Sequence, residues 1–155
     1  MQGLKALRRS LACLFHLTDS PPNFLLEKIM APQQFQSCIE ACNTCAEACD
    51  NCAVSCLKEA DPKSMARCIE LDMDCAQICR LAVACMSRSS EMVSTICQAC
   101  AEVCDACADE CSKFQTQHCR ECAQACRRCA DECRRMASAM PAMAKRRAGA
   151  GAAAH

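Results

Sequence analysis

From Cys38 onward the chain places cysteine at Cys38, Cys42, Cys45, Cys49, Cys52 and Cys56, in steps of 4, 3, 4, 3 and 4 residues. Alternating threes and fours line all six side chains along one face of an α-helix, whereas a strand would need steps of two. Small residues flank this stripe at Ala41, Ala46, Ala48 and Ala53. Glu40, Glu47, Asp50, Asn51 and Lys58 fall on the remaining, solvent-facing positions. Two later segments repeat the pattern in steps of 3, 4, 3 and 4: Cys97, Cys100, Cys104, Cys107 and Cys111, then Cys119, Cys122, Cys126, Cys129 and Cys133. Between them and the first lies a sparser version, Cys68, Cys75, Cys79 and Cys85, with Leu71, Ala82 and Met86 on or beside the inner face. The pattern predicts four helices.

The breaks fit short connections. Asp61 is a natural N-cap and Pro62 is acceptable at a first helical position. Ser89 or Ser90, with Glu91, is expected to start the third helix, and the boundary between the third and fourth falls around Phe114 to Gln117. Short links imply antiparallel neighbours, so the expected fold is all-α, an up-down-up-down four-helix bundle with a cysteine-lined core. Helices of roughly 20 to 27 residues make it about 30 to 40 Å long. Antiparallel packing gathers Phe35, Met86, Val93, Ile96, Met136 and Met140 at one end as an apolar plug. It gathers Cys56, Met65, Cys111, His118 and Cys119 at the other, as a mouth lined with metal ligands.

The expected bundle occupies residues 31–140, with an N-terminal extension over 1–30 and a tail over 141–155. In the extension, Lys5, Arg8 and Arg9 precede an apolar stretch from Leu11 to Leu17. Twin arginines suit an export signal, but the stretch is short, contains Cys13 and His16, and lacks a small-residue cleavage site. Met30 is an alternative start immediately before the repeats. The tail, with Lys145, Arg146 and Arg147 followed by alanine and glycine, has no apolar face and is expected to fray; His155 and His16 are expected to do nothing, and Cys13 to be a stray thiol. With 18 basic and 18 acidic residues, the chain has no net field to draw nucleic acid or an acidic membrane. No apolar run approaches the roughly 20 residues that span a bilayer.

Twenty-one cysteines in 155 residues demand a chemical reason. As a mere small hydrophobe, cysteine gives up about 0.8 kcal/mol for each buried CH₂ that leucine would supply, at position after position. A secreted disulfide scaffold is loop-rich, and this chain has three glycines and a helical pattern. Neighbours three or four apart on one helix also point nearly parallel, a poor geometry for disulfides. Metal binding remains, and soft thiolates admit Cu(I), zinc or iron–sulfur clusters. Zinc with four thiolates carries two net negative charges, as does an oxidised four-iron cluster with its four. Five such units would bury a charge of about −10 in a stripe that holds no lysine or arginine. Cu(I) at one ion per thiolate is neutral and accepts two or three sulfurs. Eight pairs with CxxxC spacing can each hold an ion: 38/42, 45/49, 52/56, 75/79, 100/104, 107/111, 122/126 and 129/133.

The segment from about Gln34 to Met136, with motifs CIEACNTCAEACDNCAVSC, CRLAVAC, CQACAEVCDACADEC and HCRECAQACRRCADEC, resembles the bacterial cytosolic copper storage proteins. The resemblance implies a homotetramer of cysteine-lined four-helix bundles that load many Cu(I) ions through one open end. It implies that the twenty cysteines from Cys38 to Cys133 are the ligands and that His118 matches a histidine beside the opening. Met65 is a further candidate at the mouth, since its thioether suits Cu(I). The Cys13-bearing extension and the sparser second helix depart from the pattern.

The expected function is storage or sequestration of Cu(I), for detoxification or supply to copper enzymes through a chaperone or acceptor enzyme. No nucleophile with a dedicated base, glycine-rich phosphate loop or paired carboxylates calls for catalysis. The alternatives are a ferredoxin-like electron carrier, which needs loop-borne cysteines and a CxxCxxCxxxCP run absent here, and a zinc-binding bundle. Thiols stay usable only where they stay reduced, which favours the cytoplasm.

Overall fold

The computed structural model describes residues 33–140. A 3-10 turn at Gln33–Phe35 leads into α1 (Gln36–Cys56); a second at Pro62–Met65 leads into α2 (Ala66–Ser87), followed by α3 (Val93–Cys111) and α4 (Gln117–Ala139). These helices contain 21, 22, 19 and 23 residues, so the third falls just below the expected range. Each helix packs against its sequence neighbour and α1 also packs against α4, closing an up-down-up-down four-helix bundle. The extension over 1–30 with its Cys13, His16 and Met30, and the tail over 141–155 with His155, lie outside the described residues. Among the described residues, no helix is long and apolar enough to cross a membrane.

The inner face of every helix is the stripe read from the sequence. Alanines 41, 46, 53, 76, 101, 108, 123 and 130 are buried beside the sulfurs and let the helices approach closely. Outside, Glu40, Glu47, Asp50, Asn51 and Lys58 are exposed as expected. At one end Phe35, Met86, Val93 and Met136 are buried, with Ile96 and Met140 packed against them, forming the apolar plug. There Ser94 Oγ donates to the Ala137 carbonyl across 3.0 Å, tying the start of α3 to the end of α4.

The helix ends differ in detail from the expected caps. Asp61 precedes the Pro62 turn but its side chain caps nothing; its carbonyl instead accepts from Ser64 Oγ at 2.8 Å, and α2 begins four residues later than the proline. The α2–α3 link places Ser89 in the left-handed region, at φ 52°. The Ser89 N–H reaches the Met86 carbonyl at 3.0 Å and the Ser90 N–H reaches that of Cys85 at 2.9 Å, the paired bonds of a Schellman motif. Ser90 then accepts from the Met92 N–H at 3.2 Å, so the expected serine–glutamate start lies just outside α3, which begins at Val93.

Candidate metal centre

All twenty cysteines from Cys38 to Cys133 are free thiols with relative exposures of 0–2%. Helical periodicity turns them inward, and antiparallel packing then interleaves four ladders of sulfur along one axis. Within a helix, Cys52–Cys56, Cys100–Cys104, Cys107–Cys111 and Cys122–Cys126 place their Sγ atoms 3.8–4.0 Å apart. Between helices the sulfurs come at least as close: Cys68–Cys111 at 3.5 Å, Cys45–Cys126, Cys49–Cys126, Cys42–Cys129 and Cys75–Cys104 at 3.6 Å, and Cys79–Cys129 at 3.7 Å. With a metal–sulfur bond of about 2.3 Å, the length found for zinc, two sulfurs on one ion sit about 3.8 Å apart in tetrahedral and about 4.0 Å in trigonal geometry. The core is thus already spaced for metal, and cross-helix pairs matter as much as the CxxxC pairs.

The thiols overlap in their groupings. Cys45, Cys49, Cys75 and Cys126 lie mutually within 4.8 Å; Cys45 and Cys75 also form such a group with Cys79 and Cys104, and Cys49 and Cys126 with Cys107 and Cys122. Four-coordinate zinc sites that each own their thiolates cannot all be filled from shared sulfurs. Thiolates bridging several low-coordinate ions can use every one, which is the behaviour of Cu(I).

At the mouth, Cys52, Cys56, Cys68 and Cys119 form a further group. His118, at the first turn of α4, turns Nδ1 toward this ring, 3.5 Å from Cys119, 3.6 Å from Cys52 and 3.8 Å from Cys56. Its Nε2 meets Glu59 Oε1 at 2.9 Å. Met65 is buried at the same end, one turn before Cys68. Burial pushes the thiols of Cys56 and Cys119 above their ordinary pKa, because an unpaired thiolate there has lost its water. In the second helix, Cys85 is buried near the plug and accepts a contact from Arg88 Nη2 at 3.2 Å.

One core residue was not anticipated. Leu71 is half-buried at the margin of the inner face, and the stripe position goes to Asp72, which is fully buried. Its Oδ1 accepts from Cys107 at 3.1 Å, Cys122 at 3.2 Å and Cys111 at 3.4 Å, and its Oδ2 lies 3.7 Å from Cys68. Desolvation by burial raises its pKa to about 8, so the carboxyl is protonated at neutral pH. The signal was present: Cys68, Asp72, Cys75, Cys79, Ala82 and Met86 continue the 4, 3, 4, 3, 4 stepping without a break.

Four helices around a continuous, reduced thiol core with a histidine at one end define a multinuclear soft-metal binding protein. The family model for copper storage proteins matches residues 31–138, and the chain belongs to that family. A Cu(I)-bound copper storage protein, BsCsp3, is 46% identical over 68% of this chain and 99% of its own, with a TM-score of 0.66. A cytosolic copper storage protein from Streptomyces lividans, solved with five coppers, is 40% identical over 68% of this chain and 92% of its own, also at 0.66. An uncharacterized cysteine-rich protein, YhjQ, from Bacillus subtilis (strain 168) is 45% identical over 70 residues, 45% of this chain and 65% of the length of that curated relative.

Proposed function

We propose that this chain is a Cu(I) store, whose bundle over 31–140 takes up many ions through the His118 end and holds them as thiolate clusters. The observation that carries this reading is the overlap of the thiol groups along the whole axis, which suits bridged, charge-neutral Cu(I) and not separate zinc or iron–sulfur units. The ligands are the twenty core cysteines, with His118 and Met65 at the mouth. No catalysis is part of the reading. The cytosolic description of the Streptomyces relative and the need for reduced thiols support a cytoplasmic store. Cu(I) is held for detoxification or handed to a chaperone or copper enzyme. A tetramer of such bundles is proposed by resemblance to the family.

The test is an anaerobic Cu(I) titration of fully reduced protein against a chromophoric chelator, with metal analysis of the product. Tight uptake of well over ten ions per chain, approaching one per core cysteine, is expected. Saturation at a few ions, with zinc or iron retained instead, would overturn the reading. Light scattering of the same sample tests the tetramer.

A further inference from the structure

Glu59 stands in the turn between α1 and the Pro62 turn, and its backbone N–H reaches the Cys56 carbonyl at 3.3 Å, so one turn carries both a mouth thiol and this carboxylate. The carboxylate crosses to α4, where Oε1 lies 2.9 Å from His118 Nε2. A carboxylate only accepts hydrogen bonds, so Nε2 carries the hydrogen of this contact. In the neutral ring that leaves the lone pair on Nδ1, the atom facing Cys52, Cys56 and Cys119 at 3.5–3.8 Å.

We propose that Glu59 is the positioning residue of the copper mouth: it fixes His118 in the tautomer and orientation that present Nδ1 to arriving Cu(I), without itself binding the ion. The inference rests on the storage reading above. Its geometry is that of a carboxylate behind a metal-binding histidine, where such a partner orients the ring, raises its basicity and is worth about 10–100-fold in metal affinity. Glu59 is half-exposed at the rim while the His118 side chain is 13% exposed, so the carboxylate is hydrated and the ring is held against the sulfurs. Among the described residues, the contacts of the other ring nitrogen are the three thiols. Because Glu59 is not a ligand, its removal acts on the first ions to arrive and leaves the capacity to the cysteines.

The test combines ring ¹⁵N NMR of the reduced, metal-free full chain with anaerobic uptake of the first Cu(I) equivalent from a chelator. His118→Asn assigns the His118 signals among the three histidines. Expected for Glu59→Ala are loss of the pure Nε2–H tautomer pattern and first-ion uptake about tenfold weaker or slower. Glu59→Gln, whose amide oxygen still accepts from Nε2–H, restores both toward wild type. In the His118→Asn background, Glu59→Ala changes uptake no further. The proposal is overturned if Glu59→Ala keeps the tautomer pattern, or if it weakens uptake equally with and without His118, which makes Glu59 an electrostatic attractor. Failure of the wild type to take up Cu(I) at all removes the storage reading, while the tautomer pattern still decides what Glu59 does to the ring.

Discussion

The Cys107 thiol donates to Asp72 Oδ1 across 3.1 Å, joining α3 to the one acidic side chain on the inner stripe of α2. Two further thiols, Cys111 and Cys122, share the same oxygen, so the carboxyl ties α2 to sulfurs of both α3 and α4. An ionised carboxylate there has no cation to balance it, and burial keeps it protonated.

The reduced apo-protein should therefore lose stability as pH rises. The unfolded carboxyl ionises near 3.8, while the folded one holds its proton to about 8. Between those values the unfolded state binds fewer protons, so each added pH unit favours unfolding by about 1.4 kcal/mol from this group. The contribution is fully adverse only above the folded pKa and absent below the unfolded one. Anaerobic chemical denaturation from pH 4.5 to 7.5 measures the slope, and Asp72→Asn, which keeps shape without ionising, is expected to flatten it. An identical slope in wild type and variant removes Asp72 as the cause.

The stripes of α1, α3 and α4 were legible because cysteine is both the marker of the inner face and the functional group. Legibility ended where the marker residue changed. At Asp72 the periodicity continued, but a carboxylate is ordinarily solvent-facing, and a protonated one among thiols is a tertiary effect that composition does not announce. Glu59 had no periodic signal at all: it lies in a turn, and its bond to His118 spans 59 residues of sequence. His118 was legible only as a neighbour of Cys119 at the mouth. The caps were read one step off because Asp61 and Ser90 supply turn contacts just outside the helices.

The link after α2 offers a test of backbone strain. Ser89 adopts φ 52° at the position of a Schellman motif that glycine usually fills, and the bundle's helices and links contain no glycine. A β-carbon in the left-handed region costs about 1 kcal/mol. Ser89→Gly should thus stabilise the apo-bundle by about 0.5–1 kcal/mol in chemical denaturation, less whatever the added freedom of the unfolded chain takes back. Destabilisation of more than that would mean the serine side chain holds the link in place.

The plug end should govern stability without governing loading. Phe35 is 1% exposed beneath the start of α1 and is the largest fully buried side chain among the described residues. Phe35→Ala is expected to cost about 3–5 kcal/mol. Because the mouth ring is at the opposite end, uptake of the first Cu(I) ions from a chelator should be unchanged under conditions where the variant stays folded. A selective loss of first-ion affinity, with helical circular dichroism intact, would show that copper enters at the plug.

Loading should release protons, nearly one for each ion. The mouth thiols Cys56 and Cys119 are held above their ordinary pKa by burial, so these two meet Cu(I) as thiols and must ionise to bind it. Replacing a proton by one Cu(I) leaves the charge of the core unchanged, which is why about twenty sulfurs can be filled with no cation on the inner stripe to compensate. A weakly buffered anaerobic titration with a pH indicator at pH 7.5 counts the protons directly, and affinity should rise with pH because binding competes with protonation. A yield well below one proton per ion would mean that the core holds preformed thiolates. The reduced apo-protein would then have to bury many negative charges among alanines, at a cost that the metal-free fold could not carry.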